Sequence, residues 1–248
     1  MKAKSQKQRL DLLVVERGLA ESRQKAQAMI LAGEVSVDGV KAEKAGAQVM
    51  ESARLDVTSR LQKYASRGGL KLEGALADFA VNPSGLICLD LGSSTGGFSD
   101  CLLQHGAVRV YAVDVNTGQL AWKLQQDPRV IQIKRNAREL QPHEIPEPID
   151  LVVVDVSFIS VTKILPPAVV IAKPDATFLI LIKPQFELRR EDIGEGGIVK
   201  DPSLHKKAIA SVETAAKSNG LEILGVSPSP ITGVEGNQEF FLHARKIV

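Results

Sequence analysis

Six charged residues sit where apolar runs start or stop. Asp90 lies near the end of LICLDL, Asp114 closes VRVYAVD, Asp155 closes DLVVVD and Lys183 follows FLILI. Glu239 opens EFFL, and Lys71 follows a glycine pair in SRGGLKLEGAL. A charge next to a buried strand must be paired or used, because an isolated buried charge is costly. Ion pairs that merely stabilise the fold are the competing explanation for Lys71, Asp155, Lys183 and Glu239. Between Asp90 and Asp114 runs the loop DLGSSTGGF, whose glycines 92, 96 and 97 allow close approach of a ligand to backbone. It is not Gly-x-Gly-x-x-Gly, and no Gly-Lys-Ser/Thr follows, so NAD and ATP are disfavoured.

The elements that must carry these residues read as an α/β fold. Buried-strand patterns at LICLDL, VRVYAVD, VIQIK, DLVVVDV, TFLILIK, LEILGVSPS and EFFLHARK alternate mostly with helical segments. That order predicts a mostly parallel seven-stranded sheet covered on both faces. In such sheets ligands bind beyond the C-terminal strand ends, where Asp90, Asp114, Asp155 and Lys183 fall. A helix is expected to begin near Leu70.

The first quarter of the chain is different. Residues 1–67 hold 13 Lys or Arg against 8 Asp or Glu, whereas the remainder holds 18 against 21. This asymmetry favours a polyanionic partner. RLDLLVVERG reads as a helix ending at Gly18, and Ser22 as the N-cap of a second helix ending at Gly33. Asp38-Gly39 marks a hairpin, with ARLDVTS closing a small sheet. Arg23 and Lys25 stand at a helix start, where the macrodipole disfavours cations, so an external anion explains them better. Residues 60–70 carry Arg60, Lys63 and Arg67 before the glycine pair. They read either as a plain linker or as a basic track. The expected division is 1–60, a basic linker at 61–67, and 68–248.

With 44% apolar and 24% charged residues the chain is an ordinary globular composition. No apolar run approaches the roughly 18 residues a membrane span needs. The start MKAKSQKQRL has no secretory apolar core, so a cytoplasmic protein without membrane contact is expected. Cys88 and Cys101 read as buried thiols. His105, His143, His205 and His243 show no ligand spacing, and no metal is expected.

Residues 8–60 resemble the S4 RNA-binding domain in the stretch RLDLLVVERGLAESRQKAQAMILAGEVSVDG. The resemblance implies an α+β module whose Arg9, Arg23 and Lys25 contact RNA phosphates, with Lys41, Arg60, Lys63 and Arg67 extending the surface. The larger domain resembles the Rossmann-like class I methyltransferases that use S-adenosylmethionine (SAM). That implies Asp90, Gly92, Ser93, Ser94, Thr95, Gly96 and Gly97 around the methionine end of SAM, Asp114 on its ribose, and Asp155 bordering the cofactor. Lys71, Asp155, Lys183 and Glu239 resemble the Lys-Asp-Lys-Glu tetrad of FtsJ-like ribose 2′-O-methyltransferases. Taken together, the chain is similar to the TlyA-type proteins, some labelled hemolysins and others methylating cytidine ribose in ribosomal RNA. A monomer acting on 30S subunits, 50S subunits or both is expected.

The chemistry then needs an aligned ribose oxygen and the handling of one proton. Lys183 would accept that proton or stabilise the alkoxide. A base role requires neighbours that disfavour the ammonium, which Lys71 would do and Asp155 would oppose. Glu239 would hold Lys71 or the ribose. Phe158 lines a pocket or belongs to the core, and Phe186 and Glu187 shape the acceptor side. The loop 189–203 folds over RNA or is mobile. A noncatalytic RNA-binding or ribosome-assembly protein, a membrane-active hemolysin and a small-molecule methyltransferase are the rival readings.

Overall fold

The computed structural model describes residues 7–20, 22–57, 63–233 and 236–247. The chain forms two compact units, Met1–Gln62 and Lys63–Val248.

In the first unit, β1 (Lys7–Arg9) leads into α1 (Leu10–Glu16) and then α2 (Arg23–Leu31). The Ser22 hydroxyl accepts from the Lys25 backbone N–H at 3.2 Å, capping α2 as its sequence position implies. β2 (Val35–Val37) and β3 (Val40–Lys41) form the hairpin. Its turn holds Asp38 at φ 51° and Gly39 at φ 83°, both left-handed as a two-residue loop requires. β4 (Gln48–Met50) pairs with β1, a short ribbon that the sequence pattern does not announce. β5 (Leu55–Val57) closes the three-stranded sheet against β2. Leu10, Val14, Ala26, Met29, Ile30 and Val35 make the small core. Arg60, and with it the start of the expected linker, lies outside the described residues.

The second unit opens with α3 (Gly68–Asp78), β6 (Ile87–Leu91), α4 (Gly97–Gln104) and β7 (Arg109–Asp114). The single-turn α5 (Trp122–Gln125), β8 (Val130–Lys134) and β9 (Ile149–Val154) follow. Then come α6 (Leu165–Ile171), β10 (Ala172–Ile182), the single-turn α7 (Pro184–Glu187), α8 (Pro202–Ser218), β11 (Leu221–Pro228) and β12 (Phe240–Lys246). All seven strand runs read from the sequence enter one sheet, in the order β11-β12-β10-β9-β6-β7-β8. β12 is antiparallel to both neighbours, while β10, β9, β6, β7 and β8 are parallel. The alternation of side chains splits the apolar residues between two faces. Val152, Phe178 and Ile180 pack on one, and Leu151, Leu179 and Phe241 on the other beside Leu72 and Leu102 of α3 and α4.

One boundary needs correction. Residues 63–67, expected in a linker, are built into the second unit. Tyr64 is 2% exposed in its core, and the Ala65 N–H donates to Asp100 Oδ2 at 2.6 Å. A large aromatic ring buries enough apolar surface to anchor a segment whose charges suggest a linker. Helix α3 accordingly starts at Gly68, two residues before Leu70.

Candidate active site

Strand β6 delivers Asp90 into the protein with 0% exposure. Its Oδ2 accepts from Ser99 Oγ at 2.6 Å, while Oδ1 is buried with no hydrogen-bond partner among the described residues. Burial pushes this carboxyl up to about 7, against the lowering effect of the Ser99 bond. Asp114, ending β7, accepts from the Ser94 N–H through Oδ2 and from the Asn116 N–H through Oδ1, each at 2.9 Å. The acid after the second strand thereby fixes the loop that follows the first.

That loop turns on left-handed backbone: Gly92 at φ 87°, Ser94 at φ 47° and Gly96 at φ 89°. Space is as restrictive as conformation. A Cβ on Gly92 would stand 2.3 Å from the Asp155 carbonyl oxygen, and one on Gly97 2.2 Å from Ser66 Oγ. Gly92→Ala is therefore expected to cost about 3 kcal/mol or more, from overpacking against backbone plus an unfavourable φ. Thermal unfolding checks this, and an unchanged melting temperature would contradict it.

Two lysine–carboxylate pairs stand at the sheet's C-terminal edge. Lys71 of α3 donates to Glu239 Oε2 at 2.5 Å, with side-chain exposures of only 10% and 3%. Lys183, directly after β10, places Nζ 2.6 Å from Asp155 Oδ1, directly after β9. Its aligned hydrogen bond goes to Ser157 Oγ at 2.8 Å. The four residues are thus brought together as two neutral pairs. Each lysine faces a carboxylate of its own, and Lys183 a hydroxyl besides.

Three further side chains organise this edge: Glu187, already read as shaping the acceptor side, and Ser157 and Asn237, which sequence spacing does not reveal. Glu187 accepts from Ser160 Oγ at 2.5 Å and from the Val161 N–H at 2.9 Å, tying the segment after β10 to the loop after β9. Burial pushes its carboxyl up, opposed by these two bonds. Ser157 braces Lys183 as described. Asn237, 1% exposed, accepts from the Val199 N–H at 2.8 Å and donates to the Gly197 carbonyl at 2.9 Å. The loop 189–203 is therefore pinned at its C-terminal half to the segment that carries Glu239.

Phe158 lies outside the core. It is 91% exposed, adopts φ 64°, and has its ring 5.3 Å from that of Phe186. A bulky non-glycine residue in left-handed backbone is unusual and clusters at functional sites. The two rings, with Asn136, Arg138, Lys163 and Gln185, border an open depression of about 710 Å³.

The expected RNA contacts fall as follows. Lys25, Lys41, Lys63 and Arg67 are exposed. Lys63 pairs with Glu73 and lies 5.5 Å from the Tyr64 ring centroid. Arg9 and Arg23 both pair with the buried Asp11. This corrects the premise that the cations starting α2 have no local partner: Arg23 has one, from α1.

A family model described as FtsJ-like methyltransferase matches residues 64–246. The chain belongs to the FtsJ-like methyltransferases. An S4 domain model matches residues 8–55 of this methyltransferase. It is 46% identical to the 16S/23S rRNA (cytidine-2′-O)-methyltransferase TlyA of Mycobacterium tuberculosis, over 96% of this chain and 89% of that one. It is 42% identical to Hemolysin A of Brachyspira hyodysenteriae, over 95% and 98% of the two chains. A solved structure described as a candidate hemolysin from Streptococcus thermophilus shares 41% identity and a TM-score of 0.75, over 98% and 90% of the chains.

As an FtsJ-like methyltransferase it uses SAM, and its loop residues suit that group. The unpartnered, buried Asp90 Oδ1 is an acceptor suited to an ammonium group. The glycines leave backbone where a Cβ has no room. The Asp114 carboxylate, held by two backbone N–H groups, suits vicinal hydroxyls.

Proposed function

We propose that this methyltransferase modifies the 2′-hydroxyl of a cytidine ribose in ribosomal RNA, acting as a monomer on 30S or 50S subunits in the cytoplasm. The observation that carries the reading is the paired arrangement of Lys183 with Asp155 and Lys71 with Glu239 at the sheet edge beside the SAM loop. The names of the relatives and the S4 domain support ribosomal RNA as the acceptor. No described helix is long and apolar enough to cross a membrane.

In this reading Asp90 and the backbone of residues 92–97 hold the amino-acid end of SAM, and Asp114 holds its ribose. Bound there, SAM supplies an electrophilic methyl on a sulfonium that leaves as a neutral thioether. Lys183 Nζ, held by Asp155 and Ser157, is the group placed to meet the acceptor oxygen. It donates to the acceptor 2′-oxygen and stabilises the negative charge that develops there as the hydroxyl proton passes to a water molecule. Asp155 fixes the direction of the Lys183 side chain. Glu239 holds Lys71 in place so that its cation faces the acceptor without wandering. Oxygen alignment then provides much of the rate, since the methyl group is already activated.

Phe158 and Phe186 form a stacking surface for a nucleobase on the acceptor side. Base–aromatic stacking is worth about 1–3 kcal/mol. Phe158→Ala is accordingly expected to lower kcat/KM for RNA by about tenfold while leaving SAM affinity unchanged. Equal kcat/KM in the variant would remove this role.

The deciding experiment is transfer of labelled methyl from SAM to 30S and 50S particles and to their naked RNAs, followed by nucleoside analysis. 2′-O-methylcytidine is the expected product. Base methylation instead, or SAM binding without transfer to any of these substrates, overturns the proposal.

A further inference from the structure

The buried carboxylate of the S4 domain is shared by two arginines where one would neutralise it. Asp11 is 0% exposed near the start of α1. Arg9 donates to it through Nε at 3.0 Å to Oδ1 and through Nη2 at 2.9 Å to Oδ2. Arg23, from α2, donates Nε to the same Oδ2 at 3.0 Å, and Gln27 adds Nε2 at 2.8 Å. The two arginine side chains remain 40% and 52% exposed.

Arg9 alone neutralises this acid. Adding Arg23 on the same oxygen brings two cations together beside one anion, leaving a net positive charge and like-charge repulsion at the surface. The bonds to Asp11 leave Arg9 Nη1 and both Arg23 Nη nitrogens outside the carboxylate. These are the donors with which arginine forks recognise phosphate.

The geometry is fixed from behind. The Leu10 N–H donates to the Ala47 carbonyl at 2.9 Å and the Asp11 N–H to the Ala45 carbonyl at 3.0 Å, locking the start of α1. Gly46 admits the Arg9 guanidinium: a Cβ there would stand 3.3 Å from both its Nη atoms. The Arg9 bonds foremost, with those of Gln27 and Arg23, hold the Asp11 carboxyl far below the usual range despite burial, so it stays ionised.

We propose that Asp11 is a positioning residue of the RNA-binding surface, holding Arg9 and Arg23 side by side as a preformed receptor for one backbone phosphate. The proposal rests on the reading of the S4 domain as an RNA contact. Immobilising two long side chains before binding removes ordering entropy that RNA would otherwise have to offset. The phosphate relieves the repulsion that a single carboxylate leaves behind.

Asp11→Asn separates this from plain electrostatics by sign. Removing a negative charge makes the unit more basic, so long-range attraction alone predicts tighter RNA binding. Positioning predicts weaker binding, by about tenfold, the loss expected for a charge-assisted phosphate contact. The measurement is affinity of the full chain for deproteinised 16S and 23S ribosomal RNA at fixed salt, with thermal unfolding as the folding control. Equal or tighter binding by a folded Asp11→Asn overturns the proposal. Should that variant not fold, Arg23→Lys keeps the charge but removes the fork. It is expected to bind about fivefold more weakly, and full affinity overturns the proposal. The Arg9→Gln/Arg23→Gln double variant tests the underlying reading. If it loses no RNA affinity, the S4 surface is not the contact. If it loses affinity while Asp11→Asn does not, only the positioning role is rejected.

Discussion

Replacing Lys183 with alanine is expected to reduce methyl transfer by about a thousandfold while SAM affinity stays within a fewfold of the parent. The size follows from the roughly 10²- to 10³-fold loss on removing one preorganised donor to a developing oxyanion. The selectivity follows from position, because Lys183 bonds Ser157 and pairs with Asp155 and touches none of the loop residues 92–97 among its recorded partners. Removing one partner of a largely buried pair strands the other. Lys183→Met therefore belongs beside Lys183→Ala to restore the buried stem, and melting temperatures should accompany both. Single-turnover transfer to ribosomal particles, with SAM binding measured in parallel, gives the answer. Near-parental transfer in a folded variant would remove Lys183 from the chemistry. Parallel loss of SAM affinity would reassign it to the cofactor.

The second large effect is expected at Asp90, where a pH dependence joins a mutational one. Its carboxyl is raised from 3.8 to about 7 by burial, so between those values the folded protein holds a proton that the unfolded chain has released. Linkage then makes the unliganded protein lose stability as pH rises through that window, by on the order of a few kcal/mol in total. A cationic ammonium beside Asp90 reverses the preference, because it favours the carboxylate. SAM affinity, and the thermal stabilisation SAM confers, should therefore increase as pH climbs toward about 7. Asp90→Asn is isosteric but uncharged. It should flatten both trends and weaken SAM by on the order of 100-fold, about 3 kcal/mol for breaking a buried charged contact. Calorimetric titration across that pH window checks this. A SAM affinity independent of pH in the parent, or unimpaired in Asp90→Asn, would detach Asp90 from the ligand.

The sheet was readable in the sequence because each of its strands is a run of apolar residues bounded by turn signals. The residues at those boundaries were readable for the same reason: Asp90, Asp114, Asp155 and Lys183 interrupt hydrophobicity where a sheet of this class opens to ligands. What escaped is tertiary. Ser157 and Lys183 lie 26 positions apart, Ser160 and Glu187 27, and Asn237 and Val199 38, so no local period links them. The ribbon of β1 and β4 pairs two three-residue segments with little apolar content. Tyr64 was hidden among charges that favour reading a linker. Asp11 left one faint mark, an acid inside the apolar stripe of α1 between Leu10 and Val14, where burial without a partner would be prohibitive.

The position of β12 bears on how the enzyme is made. Lys71 and Glu239 are 168 residues apart, and Glu239 directly precedes the strand that slots between β10 and β11. At about 5–20 residues per second, translation separates the two by on the order of ten seconds. Competence therefore waits for the final strand: until β12 is seated between β10 and β11, nothing anchors the carboxylate that pairs with Lys71 at the sheet edge.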